Sequence, residues 1–206
     1  MTPVPDPPTA AAVTAATNED TPTTVTLSGS DVDGDAARTF TIVSYPAHGS
    51  LGSLSSATCT GGVPNTCSRT VVYTPRANYN GPDAFTYRVN DGRLNSSTAT
   101  VGLSIAAVND APLMSQLDNV TVRKNKPASV TFAIGDVDNP TSSLSVSAGS
   151  SNVALVPVAN IIFAGTGTLR TATITPIANR TGTTAITLSV SDGLLVTARS
   201  FVLTVR

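Results

Sequence analysis

Val108-Asn109-Asp110-Ala111-Pro112 lies near the midpoint of this 206-residue chain, and its reading decides the fold because what precedes it is repeated after it. Pro112 and the small polar residues before it read as a linker. On either side the same signals recur in the same order. An alternating strand is followed by an acidic loop, Asp31-Val32-Asp33-Gly34-Asp35 in the first half and Asp136-Val137-Asp138-Asn139 in the second. Further strands follow, then an Asp-Gly turn, Asn90-Asp91-Gly92 or Ser191-Asp192-Gly193. The expected organisation is a β-domain over 1–108, a calcium-binding linker over 109–112 and a second β-domain over 113–206, each long enough to bury a core.

Strand material dominates. Hydrophobic residues make up 40% of the chain, Val, Thr, Ser and Ala abound, and Trp is absent, which favours strands over helices. Period-2 alternation places Val25 and Leu27, Phe40 and Ile42, Phe85, Tyr87 and Val89, and Val101, Leu103 and Ile105 on core faces of the first domain. In the second domain it does the same for Val130, Phe132 and Ile134, for Ile186, Leu188 and Val190, and for Phe201, Leu203 and Val205. Two apolar segments, around Val153 to Val158 and Ile161 to Phe163, fill the region of its fourth strand. The class is all-β, two tandem seven-stranded immunoglobulin-like sandwiches, with no long helix.

The net charge of −1 points to neither nucleic acid nor an anionic membrane, and no apolar run is long enough to span one. Placement of the acids carries more. Glu19 is the only glutamate among 13 acidic residues, and nearly all the aspartates fall in loops or the linker. Carboxylates gathered into loops repel one another unless a cation joins them. Cys59 and Cys67 share one Gly/Pro/Thr-rich loop, where a disulfide would close a short hairpin in an oxidising, extracytoplasmic compartment.

With the seven strands of each sandwich lettered A to G in chain order and loops alternating ends, the B–C loops (31–35 and 136–139) and F–G turns (90–92 and 191–193) lie where a domain begins, and the A–B and E–F loops (18–22 and 78–83 in the first domain) where it leaves. This gathers Glu19, Asp20, Asn78, Asn80 and Asp83 at the exit of the first domain, and Asp136, Asp138 and Asp192 at the entrance of the second, with Asn109 and Asp110 between. Calcium, which takes six to eight oxygen ligands in flexible geometry, is the expected cation; zinc would want His or Cys. The same parity places Asp6, Asp31, Asp33, Asp35 and Asp91 at the entrance of the first domain, as a weaker half-site. At the exit of the second, Lys124-Asn125-Lys126 and Arg180 are basic, and no calcium is expected there.

The motifs Asn18-Glu19-Asp20-Thr21, Asp31 to Asp35, Pro46-Ala47-His48-Gly49, Asn78-Tyr79-Asn80-Gly81, Phe85 to Gly92 and Val108 to Pro112 closely resemble the cadherin-like tandem repeats of large bacterial surface and secreted proteins, including adhesins. The second half resembles them more loosely, through Gly135 to Asp138, Thr175-Pro176 and Ser189 to Gly193. The resemblance implies interdomain calcium held by Glu19, Asp83, Asn109, Asp110, Asp136, Asp138 and Asp192. Ala111 after Asp110, and Asn80 and Asp83 in the E–F loop, depart from the cadherin pattern and lower the expected number of ions.

These readings converge on a calcium-stiffened spacer of a larger extracellular or cell-surface protein, its partners the neighbouring repeats of the same polypeptide and the chain itself a monomer. The alternative is a module that binds a surface glycan or a protein. Tyr45 and Tyr79 are its candidate aromatics, although capping the core ends suits them better. An enzyme is not expected, because His48 stands alone in a turn with no nucleophile and base pair around it.

Overall fold

Alternation sets the strands, and burial follows it residue by residue. The computed structural model describes residues 5–33 and 39–206. In its first unit, Met1–Val108, strand A is split into β1 (Thr9–Ala10) and β2 (Val13–Asn18). There follow β3 (Thr23–Asp31), β4 (Thr39–Ser44), β5 (Gly49–Leu51), β6 (Thr58–Thr60), β7 (Asn65–Pro75), β8 (Gly81–Asn90) and β9 (Ala99–Ala106). One sheet runs β1-β3-β7-β5 with β6 also on β7, and the other β2-β9-β8-β4. The core between them holds Val25, Leu27, Val71, Tyr73, Phe85, Tyr87, Val89 and Val101.

The split of strand A is a feature that alternation alone does not reveal. β1 pairs antiparallel with β3 in one sheet, whereas β2 pairs parallel with β9 in the other. Tyr87 pins the crossing: its hydroxyl lies 2.6 Å from the Ala11 carbonyl and 2.8 Å from that of Ser28, and accepts the Ser28 N–H at 3.2 Å. Burial raises the pKa of this phenol above its ordinary value, so it holds its proton and remains a donor.

The second unit, Asn109–Arg206, repeats the plan with β10 (Leu113–Met114), β11 (Val120–Val122), β12 (Ala128–Gly135), β13 (Ser145–Ser150), β14 (Ile161–Ala164), β15 (Leu169–Ile174), β16 (Gly182–Ser191) and β17 (Val196–Val205). Its sheets are β10-β12-β15-β14 and β11-β17-β16-β13. β10 and β11 again divide strand A between the two sheets. Phe132, Ile174, Ile186, Leu188 and Leu203 lie at the centre of its core. The apolar segment from Val153 to Val158 is not a strand: Leu155 and Val156 are buried from a turn, and a short 3-10 turn over Val158–Asn160 leads into β14. Among the described residues no helix is long and apolar enough to cross a membrane.

Candidate cation-binding caps

Each unit carries the same acidic cap at its entrance, built by the same hydrogen bonds. In the second unit the Asp110 N–H donates to Asp138 Oδ2 at 2.7 Å, and the Asp138 N–H donates to Asp136 Oδ1 at 2.9 Å. The Leu194 and Leu195 N–H groups donate to Asp192 Oδ1 at 2.6 and 2.7 Å. In the first unit the Asp6 N–H donates to Asp33 Oδ2 at 2.7 Å, and the Asp33 N–H donates to Asp31 Oδ1 at 2.8 Å. The Arg93 and Leu94 N–H groups donate to Asp91 Oδ1 at 2.6 and 2.7 Å. Asp35 lies outside the described residues.

Short Asp turns create this arrangement, since a carboxylate that accepts the N–H two or three residues ahead folds its loop back on itself. One oxygen of each such aspartate is thereby committed to its own loop. Asp136 Oδ2 is buried and has no hydrogen-bond partner among the described residues.

Asn109 ties the B–C and F–G loops of the second unit together. Its amide donates to Asp192 Oδ2 at 2.8 Å and to the Asp110 carbonyl at 3.1 Å, and its oxygen lies 3.4 Å from Asn139 Nδ2. The hydrogen bond from Asn109, with those from the backbone of Leu195 and Leu194, holds the Asp192 carboxyl below the usual carboxylate range. Residues 109 and 110 thus belong to the cap of the second unit. Asn139 is a cap residue that the sequence reading left out; its signal is an amide directly after the Asp-x-Asp pair.

At the exit of the first unit, Glu19 is 3% exposed. Its Oε1 accepts the Val108 N–H at 2.6 Å, and its Oε2 is buried with no hydrogen-bond partner among the described residues. Asp83, expected beside it, has a different place. It faces the core from β8, where its carboxylate accepts the Tyr73 hydroxyl at 2.9 Å and the N–H groups of Ala47 and His48 at 3.0 Å and of Ala84 at 2.9 Å. A carboxylate satisfied on this many sides acts as a structural anchor for the turn it holds. His48 stacks on Tyr79 with ring centroids 4.0 Å apart. Tyr79 packs against the core, but Tyr45 is 72% exposed and caps nothing. Cys59 and Cys67 form a disulfide across β6 and β7. Among the described residues no group of three or more His, Cys, Asp or Glu side chains is arranged to hold a metal ion.

Two successive sandwiches, each with strand A shared between sheets, define a tandem of immunoglobulin-like domains. A model of the bacterial Ig domain matches residues 5–104 and again 109–204, and the chain belongs to that family. No curated protein matches it. Among solved structures it is similar to an endo-fucoidan hydrolase of glycoside hydrolase family 107, at 20% identity and a TM-score of 0.40, over 97% of this chain and 28% of that one. It is also similar to the titin domains Z1Z2 in complex with telethonin, at 13% identity and a TM-score of 0.40, over 98% of both chains. A variant of titin domains I67–I69 aligns at 9% identity and a TM-score of 0.45, over 97% of this chain and 66% of that one. The chain thus spans little more than a quarter of the length of the hydrolase.

Proposed function

We propose that this tandem is a structural spacer of a longer extracellular or cell-surface chain, and that calcium stiffens it by closing the acidic caps. The observation that carries this reading is the repetition of one cap in both units, Asp6, Asp31, Asp33 and Asp91 answering Asp110, Asp136, Asp138 and Asp192 through the same hydrogen bonds. A fold needs turns but does not need four carboxylates at one end of every copy. Like charges so placed cost stability unless a cation offsets them.

The donors suit a hard cation. They are oxygens throughout, and the buried Asp136 Oδ2 has no hydrogen-bond partner among the described residues. In the second unit the set is Asn109, Asp110, Asp136, Asp138 and Asp192; in the first it is Asp6, Asp31, Asp33 and Asp91, with weaker binding. Glu19 Oε2 offers a further oxygen at the exit of the first unit. Because Asn109 and Asp110 stand at the start of the second unit and bond to Asp192 and Asp138 there, a cation shared with them would hold that first stretch of the unit to its acidic loops. The disulfide accords with an oxidising compartment.

The test is a calorimetric melt in EDTA and in calcium up to ~10 mM, a range that covers extracellular modules of about millimolar affinity. A ligand that binds only the folded state raises the melting temperature. The expected result is a calcium-dependent rise that Asp136→Asn removes. No rise at any concentration would leave the acids as turn residues and the spacer without its metal.

A further inference from the structure

The exit ends of the two units share one backbone and carry opposite charge. In the first unit the left-handed residues Asp20 and Asn78 are clasped, the Asn78 N–H donating to Asp20 Oδ1 at 3.1 Å. In the second, Asn125 and Asn179 are left-handed too, and the Asn179 N–H donates to Asn125 Oδ1 at 2.7 Å. The surrounding bonds match as well. The Glu19 N–H donates to the Ala106 carbonyl at 2.9 Å, as that of Lys124 does to Arg206 at 2.8 Å. The Thr21 N–H donates to the Asn18 carbonyl at 3.3 Å, as that of Lys126 does to Arg123 at 3.1 Å. The Tyr79 N–H donates to the Arg76 carbonyl at 3.1 Å, as that of Arg180 does to Ile177 at 3.3 Å.

Position by position, Lys124 therefore stands where Glu19 stands, Lys126 where Thr21 does and Arg180 where Tyr79 does. Arg123 and Arg206 replace the neutral Asn18 and Ala106. All five cations are exposed, and stretches 120–126, 175–182 and 204–206 contain no acid. Arg123, Lys124, Asn125 and Arg206 line an open depression of about 690 Å³. The clasp does not require this charge, since the first unit builds it with two acids. Five like charges on one end cost stability through mutual repulsion, so a complementary surface is the natural account of them.

We propose that the basic exit of the second unit docks the acidic entrance cap of an Ig-like domain of this kind, supplied in solution by the first unit of a second copy of the chain. Charge complementarity carries the choice of partner. The first unit has eight acids against five cations, the second seven cations against five acids. At the first unit's entrance Asp6, Asp31, Asp33 and Asp91 lie in the cap, with Arg93 in the F–G turn. Lysine and arginine would there take the place of a bound metal. Such a contact is heterologous, pairing different surfaces of two copies and leaving one surface of each kind for a further copy. Exposed ion pairs are individually weak and screened by salt, so the association is weak and salt-sensitive. It needs no calcium in the caps, and a cation bound there would compete with it.

The test is sedimentation velocity of the whole chain over a concentration series, with EDTA throughout so that the calcium reading stands or falls separately. At ~0.01 M salt, where the screening length is ~30 Å, the weight-average sedimentation coefficient should rise with concentration; at ~1 M salt, where it is ~3 Å, only monomer should remain. Lys124→Glu with Lys126→Glu should weaken association about tenfold, as should Asp6→Lys with Asp33→Lys, and mixing the two reversed chains should restore it. All four positions are exposed, and circular dichroism checks that the variants fold. A monomer at every concentration in low salt, or association that the reversals leave unchanged, would overturn the proposal. So would a monomer that the basic end alone retains on heparin, which would assign that end to a sulphated glycan.

Discussion

The Tyr73 hydroxyl donates a 2.9 Å hydrogen bond to Asp83 Oδ2 inside the first unit, joining the two sheets through β7 and β8. The same carboxylate accepts the N–H groups of Ala47 and His48, which fixes the Pro46 to Gly49 turn against the core. Asp83→Ala would leave a buried hydroxyl and several N–H groups unsatisfied at once. Its expected cost is about 3 kcal/mol in urea denaturation, with Asp83→Asn losing less because its amide oxygen still accepts. Calcium binding, measured by titration calorimetry on folded Asp83→Asn, should be unchanged. A loss of calcium affinity in that variant would return Asp83 to the ligand set.

Acid stability follows from the same residue. Burial pushes the Asp83 carboxyl up, but the hydrogen bonds from Tyr73 and from the Ala84, His48 and Ala47 backbone outweigh it, and the net pKa lies below the usual carboxylate range. The unfolded chain therefore takes up the proton first. The contribution is fully present above the unfolded value of about 3.9 and is lost as pH falls through the lower folded one. Between about pH 5 and 2 the melting temperature should fall more steeply for the wild type than for Asp83→Asn, which has no proton to gain there. Parallel curves would show that other carboxylates govern acid unfolding.

Gly49 shows how closely that turn sits on the core. A Cβ built there would collide with the Tyr73 ring and would meet the Thr74 carbonyl oxygen at 2.7 Å. The carbonyl belongs to β7, which pairs with β5 through Gly49 and Pro75, so backbone as well as side chain would have to move. Gly49→Ala is expected to lower stability by about 2 kcal/mol, within the range for overpacking. Gly102→Ala, where the nearest atom is Thr14 Cγ2 at 3.9 Å, is the control that should cost little.

Much of this molecule is legible in its alternation, and the failures have physical causes. The inward residues of β8 read directly as Phe85, Tyr87 and Val89, and Asp83 falls in phase with them. The run from Asn78 to Asp83 has the composition of a loop, yet β8 begins at Gly81 and turns its acid into a core residue. Alternation does not reveal the split of strand A, because crossing from sheet to sheet is decided by pairing with β3 and β9, contacts distant in sequence. The caps were legible because Asx turns are local. The matched exit clasps were not, since the left-handed pairing of Asn125 with Asn179 joins loops 54 residues apart.

The disulfide bears on one unit only, which makes the other an internal reference. Cys59 pairs directly with Cys67, and β6 is held to β7 by just three residue pairs, all of whose β6 members are exposed. On its opposite side the same stretch of β7 pairs with the end of β3, Cys67 with Gly29 and Asn65 with Asp31. Asn65 Oδ1 lies 3.4 Å from Cys67 Sγ, so the bridge abuts a buried residue in register with the cap. Closing a loop with a sequence separation of 8 restricts the unfolded chain by about 2.5 kcal/mol. Cys59→Ser with Cys67→Ala should lower the melting transition of the first unit and leave that of the second in place. In hydrogen exchange, protection should fall first at Thr58 to Thr60 and next at Asn65 to Cys67, with β12 and β15 unaffected. An equal shift of both transitions would mean that the two units unfold together, and unchanged protection at Asn65 would confine the bridge's influence to β6.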